Sequence, residues 1–90
     1  MSMLGMDVDQ VTTSATKVNN MAGQLQTLIG QLNSQVVNLR GLWTGSDANA
    51  FVDQTWPAHK SNLDRCKSDL DGLVSDLKKE IQQQITTSQS

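Results

Sequence analysis

The sequence contains no tyrosine, one phenylalanine, two tryptophans, one proline and one cysteine. Strands draw on aromatic and β-branched residues, so a chain this poor in aromatics does not read as a β-rich domain. One cysteine cannot close a disulfide within the chain. No apolar run approaches the roughly 20 residues that a helix needs to cross a bilayer. The opening residues Met1-Ser2-Met3-Leu4-Gly5-Met6-Asp7 have no cationic start and no long apolar core, so a cleaved secretory signal is not expected. Charge of one sign is lacking too: seven Lys and Arg stand against nine Asp and Glu, a net charge of −2. The cations Lys17, Arg40, Lys60, Arg65, Lys67, Lys78 and Lys79 are scattered among acids instead of forming the basic stripe that nucleic-acid binding requires. Nucleic acid is therefore not an expected partner.

What the sequence does have is period. Val8, Val11, Ala15, Val18, Ala22, Leu25, Ile29, Leu32, Val36 and Leu39 alternate steps of three and four without a break, the seam of a heptad repeat. The spacing predicts a first helix over about residues 8–41. Asp7 stands where a side chain caps the first turn, with Gln10 as the reciprocal partner of a capping box. Met6 and Val11 flank that cap at the spacing of a hydrophobic staple. Gly41 and Gly45 end the pattern.

A second run, Val52, Trp56, His59, Leu63, Cys66, Leu70, Leu73 and Leu77, predicts a helix over about residues 47–84. Val74, Ile81 and Ile85 carry its stripe onward with the drift of a straight helix. Ser46 or Asp47 is the expected cap. Pro57 lacks an N–H and crowds the carbonyl four residues earlier. It implies either a kink around residues 53–56 or a helix that begins at Pro57. The polar tail, residues 82–90, is expected to fray.

Two long helices joined by a short turn lie antiparallel. The expected fold is thus all-α: one domain, residues 1–90, forming an antiparallel two-helix hairpin. A two-helix layer has no interior, and apolar residues spill beside the stripes at Met21, Leu28, Leu42, Phe51 and Val74. Its natural completion is a dimer that makes a four-helix bundle. The side chains expected in the hairpin and dimer seams are Val11, Val18, Leu25, Ile29, Leu32, Val36, Leu39, Phe51, Trp56, Leu63, Leu70 and Leu77.

Between the helices runs Leu39-Arg40-Gly41-Leu42-Trp43-Thr44-Gly45-Ser46-Asp47-Ala48-Asn49-Ala50-Phe51. Trp43 continues the seam register, so its indole is expected to pack between the helix ends. Gly45 supplies the backbone freedom of a tight reversal. With Trp43-Thr44-Gly45 midway between two amphipathic helices, and Asp47 and Phe51 after it, the whole chain resembles the Trp-Xaa-Gly family of roughly hundred-residue, early-secretory-antigen-like proteins. The resemblance implies a helical hairpin that pairs with itself or a homologous hairpin. It also implies export without a cleaved signal by the type VII secretion ATPase machinery, the secretion ATPase and a larger secreted toxin being further partners. Members that carry the export signal have a Tyr-x-x-x-Asp/Glu motif after the second helix. This chain has no tyrosine, which favours a subunit carried by a partner; the alternative function is a cytoplasmic adaptor of the same fold for such a toxin.

His59 and Cys66 are the candidates for metal or covalent chemistry. They stand seven residues apart, roughly 10 Å along a helix, too far to share one ion. No second histidine and no Cys-x-x-Cys spacing joins them. Cys66 therefore reads as a small core residue, with an interchain disulfide as its other use, and His59 as a packed or rim histidine. No cofactor and no catalytic residue is expected, since a hairpin offers no rigid pocket. The acids Asp64, Asp69, Asp71, Asp76 and Glu80 read as a solvated face, and with so few cations membrane binding is not expected. Gly23 and Gly30, a heptad apart, either admit a close partner helix or are exposed at a cost to the helix of about 1 kcal/mol each. Trp43 and Gly45 serve hairpin packing, docking to the secretion machinery, or both.

Overall fold

The computed structural model describes residues 5–89. Residues 1–4, on which part of the signal-peptide expectation rests, and residue 90, the end of the tail, lie outside the described residues. The fold is all-α, a helical hairpin with two long helices and no strand among the described residues.

Helix α1 spans Val8–Asn38. Its cap is the one the sequence announces: an Asp7 carboxylate oxygen accepts the Gln10 backbone N–H at 3.1 Å, and the Asp7 carbonyl accepts that of Val11 at 2.9 Å. Met6 and Val11 are both half-buried, as a staple requires. Hydroxyls along α1 bond back to their own helix. Thr13 donates to the Asp9 carbonyl, Thr16 to that of Thr12 and Ser34 to that of Gly30, at 3.0–3.2 Å. Such back-bonding lets a helix carry this many hydroxyl residues without losing them to turns. The last turn tightens into a 3-10 helix over Leu39–Gly41.

A short helix α2, Ser46–Ala50, opens the return. Its cap is Gly45, not Ser46 or Asp47. At φ +115° and ψ 178° Gly45 stands in a conformation closed to residues with a Cβ, and its carbonyl takes the Asn49 N–H at 3.1 Å. Ser46 and Asp47 are already inside the helix. A π-helical turn follows over Phe51–Thr55, and helix α3 then runs over Trp56–Gln89. Helix α3 begins at Trp56, so Pro57 is not its first residue, and the irregularity expected around residues 53–56 takes the form of this π turn. Pro57 offers no N–H and its ring crowds the carbonyl of Asp53, so the helix widens by one residue and Trp56 N–H donates five residues back, to Phe51. Helix α3 continues past Gln82 to Gln89. Along it Ile81 is buried and Gln84 and Ile85 are half-buried.

Two compact units divide the chain. Within Gln24–Ser68 the buried side chains are Ile29, Ala48, Val52 and Trp56. There α1 and the return helix are joined antiparallel by Asn33–Trp56 and Arg40–Asp53 contacts. In the other unit, the described residues up to Gly23 with those from Asp69 on, Ala15, Ala22, Val74 and Ile81 are buried. Three of these eight side chains are alanine, and no large side chain is fully buried among the described residues.

The inward stripe of α3 differs from its sequence reading. It runs through Trp56, Lys60, Leu63, Lys67, Leu70, Val74, Leu77 and Ile81, with His59, Cys66 and Leu73 left exposed beside it. Cys66 is not a core residue of the hairpin. The cause is a change of phase at the π turn. From Val52 the buried line steps four to Trp56 and four again to Lys60, one extra step of four beside the π turn, and from Trp56 on it alternates four and three as a heptad does. Two of the positions thus reached are lysines, which bury their stems and keep the ammonium outside. Lys60 holds its ammonium 2.9 Å from Asp64.

Candidate interaction surface

The turn is built from backbone first. Trp43 N–H donates to the Leu39 carbonyl at 2.8 Å and Leu42 N–H to the same oxygen at 3.0 Å, closing the end of α1. Gly45 then reverses the chain. A Cβ on it would meet nothing within 4 Å, so glycine is needed there for conformation and not for space. Ala48 and Val52, buried on the inner side, seat the return helix.

Trp43 does not pack between the helix ends. It is 42% exposed, and its ring leans on Phe51 with centroids 5.9 Å apart and planes at 52°. The reason lies in the tightened turn after Asn38, which takes Trp43 out of the α1 register. Leu42 beside it is 84% exposed. Arg40 and Asp53, both about half exposed, form an ion pair across the turn end. In water such a pair adds at most about 1 kcal/mol.

Trp56 is the aromatic that fills the seam. It is buried, and its indole N–H donates to the Asn33 side-chain oxygen at 2.9 Å. Sequence reasoning missed Asn33 because the stripe was followed through apolar residues alone. The signal was available: Asn33 sits at the inward step between Ile29 and Val36, and a buried indole needs an acceptor.

The remaining expected seam residues are placed as follows. Ile29 is buried, and Val11, Val18, Leu25, Val36, Leu39, Phe51, Leu63, Leu70 and Leu77 are half-buried. Leu32 is exposed, as are Met21, Leu28, Val37 and Leu73. Gly23 and Gly30 face open space, so neither is required by packing within the chain. His59 and Cys66 are both exposed, and among the described residues no three His, Cys, Asp or Glu side chains gather in a cluster fit for a metal. No helix among the described residues is long and apolar enough to cross a membrane. What this arrangement offers chemically is contact surface: an aromatic at the turn and apolar side chains along both long helices.

No curated protein and no solved structure matches the chain. A family model does, over residues 3–83, a span that takes in α1, the Trp43-Thr44-Gly45 turn and most of α3. The chain belongs to the WXG100 family, the proteins of 100 residues with WXG.

Proposed function

We propose that the chain is a small non-enzymatic interaction protein that pairs with a helical hairpin and leaves the cell as a substrate or co-substrate of a type VII secretion system. The family is associated with type VII secretion, and its small helical members are generally non-enzymatic and pair with homologous partners. The single observation behind the pairing is the set of large apolar side chains that α1 and α3 leave in solvent, Met21, Leu28, Leu32 and Leu73 among them. Exposed apolar area of this kind marks a contact surface. Mass spectrometry of culture medium, from cells with and without the secretion ATPase, tests the export. The chain is expected in the medium only when the ATPase is active, and equal amounts in both would refute it.

One feature favours a second reading. Residues 1–90 contain no tyrosine and so no motif of the usual Tyr-x-x-x-Asp/Glu form. Its export signal is then a composite surface or the tail of a further exported chain. On the adaptor reading the chain stays in the cytoplasm and chaperones a larger secreted toxin. A pulldown from cells and medium separates the two: a toxin bound in the cytoplasm, with no export of this chain, selects the adaptor.

A further inference from the structure

We infer that the π turn over Phe51–Thr55 is a phase lock, keyed by Pro57, that holds α3 in the second of two registers open to it within the Gln24–Ser68 unit. The device goes beyond the paired-hairpin proposal and does not depend on it.

Two inward lines run along this part of α3, and they share half of their residues. One is Trp56, Lys60, Leu63 and Lys67, all buried or half-buried. The other is Trp56, His59, Leu63 and Cys66, of which His59 and Cys66 are exposed. Successive residues stand about 100° apart around an α-helix, so with half of each line shared a roll of about 50° exchanges one line for the other. Side-chain chemistry favours the line that is not used. Lysine is among the residues least often buried, cysteine among the most, and histidine lies between. Drawing two lysine stems inward also restricts long, flexible chains. Burial by itself would therefore turn His59 and Cys66 toward α1.

The turn before α3 overrides that preference. Ala48 and Val52, both buried, set the phase of the return helix ahead of the turn. A regular helix leaving Val52 meets its seam at alternating steps of four and three, which gives Trp56 and then His59. This chain takes two steps of four instead, to Trp56 and then to Lys60. The Trp56 N–H reaches back five residues to the Phe51 carbonyl, so the widened turn takes up one residue more than an α-turn. That one residue is the difference between His59 and Lys60. Pro57 keeps the turn wide, because it has no N–H for the Asp53 carbonyl and its ring crowds that oxygen. The Arg40–Asp53 ion pair also reaches the turn, but both side chains are about half exposed, and such pairs hold little. The bond from Trp56 to Asn33 belongs to a residue common to both lines and does not choose between them.

The test reads thiol labelling at two adjacent positions of the full chain, at nanomolar concentration so that association contributes little. Cys66 reports on one line, and Lys67→Cys in a Cys66→Ser chain reports on the other. With Pro57 in place, Cys66 should label faster than the Lys67→Cys thiol. Pro57→Ala should reverse that order and keep the helical circular dichroism. Deleting the exposed Gln54 from the Pro57→Ala chains should restore the first order, because a regular helix one residue shorter passes from Val52 to Trp56 in three steps and to Lys60 in four more. Arg40→Ala, with Pro57 kept, should leave the order as it is. Unchanged rates in Pro57→Ala would show that Pro57 is not the lock, and a reversal in Arg40→Ala would move the lock to the ion pair. A reversal that survives the deletion of Gln54 would overturn the phase argument. An unfolded Pro57→Ala chain would overturn the second register.

Discussion

The hydrogen bond from Trp56 to Asn33 gives the sharpest test of how the turn-side unit is held together. Trp56 is 8% exposed, so its indole N–H has little water to fall back on when its acceptor is removed. At 2.9 Å the contact is a well-formed neutral hydrogen bond. Its net contribution is about 0.5–1.5 kcal/mol, but orphaning a buried donor costs about 1–3 kcal/mol. Asn33→Ala should therefore destabilise by about 1–3 kcal/mol, more than an ordinary half-exposed Asn→Ala change. Trp56→Phe removes the donor and part of the ring, and should cost about 1–3 kcal/mol, mostly through the cavity it leaves. In the double variant no donor is left unpaired, so the loss should fall short of the sum by about 1 kcal/mol. Urea titrations followed by circular dichroism, at one matched protein concentration, measure all four corners of the cycle. Strict additivity would mean that the bond does not hold in solution, and a more stable Asn33→Ala variant would refute the reasoning outright.

Four further outcomes are expected. Trp43→Ala should cost about 1–2 kcal/mol, below the ~3–5 kcal/mol of an emptied buried aromatic site, because its ring has one close aromatic neighbour and an exposed face. A larger loss in a denaturant titration would place the indole inside the fold. Gly45→Ala should cost about 1–3 kcal/mol through its backbone angles alone, while D-alanine introduced by chemical synthesis should be tolerated there. Thermal melts compare the two, and equal losses would point to sterics in place of conformation. Gly23→Ala and Gly30→Ala should each stabilise α1 by up to about 1 kcal/mol, since a Cβ meets open space at both positions. A fall in melting temperature would indicate a helix packed closely against them. Deleting residues 86–90 should leave export unchanged, and export should require a further exported chain, because no tyrosine motif can lie in this tail. Efficient secretion of the chain without its genomic neighbours, lost on trimming, would reveal a signal within it.

Much of the molecule is readable along the chain because helices are local. Asp7 with Gln10, and the three-and-four spacing from Val8 to Leu39, specify a capped amphipathic helix before any partner is known. The Trp43-Thr44-Gly45 turn between two such helices was enough to point to the family. Tertiary structure decided the phase. Two heptad stripes one residue apart share Trp56, Leu63, Leu70 and Leu77, and only packing shows which of them faces inward and where the extra step of four falls. In α3 it falls just after the π turn that Pro57 imposes, which brings Lys60, Lys67 and Val74 inward and turns His59, Cys66 and Leu73 outward. The same dependence on packing made Trp56 the buried tryptophan and Trp43 the exposed one. Their side chains are identical, and what separates them is the 3-10 turn at Leu39–Gly41, which has no signature in local sequence, and the reach of Asn33, whose inward step shows only when the two helices are read together.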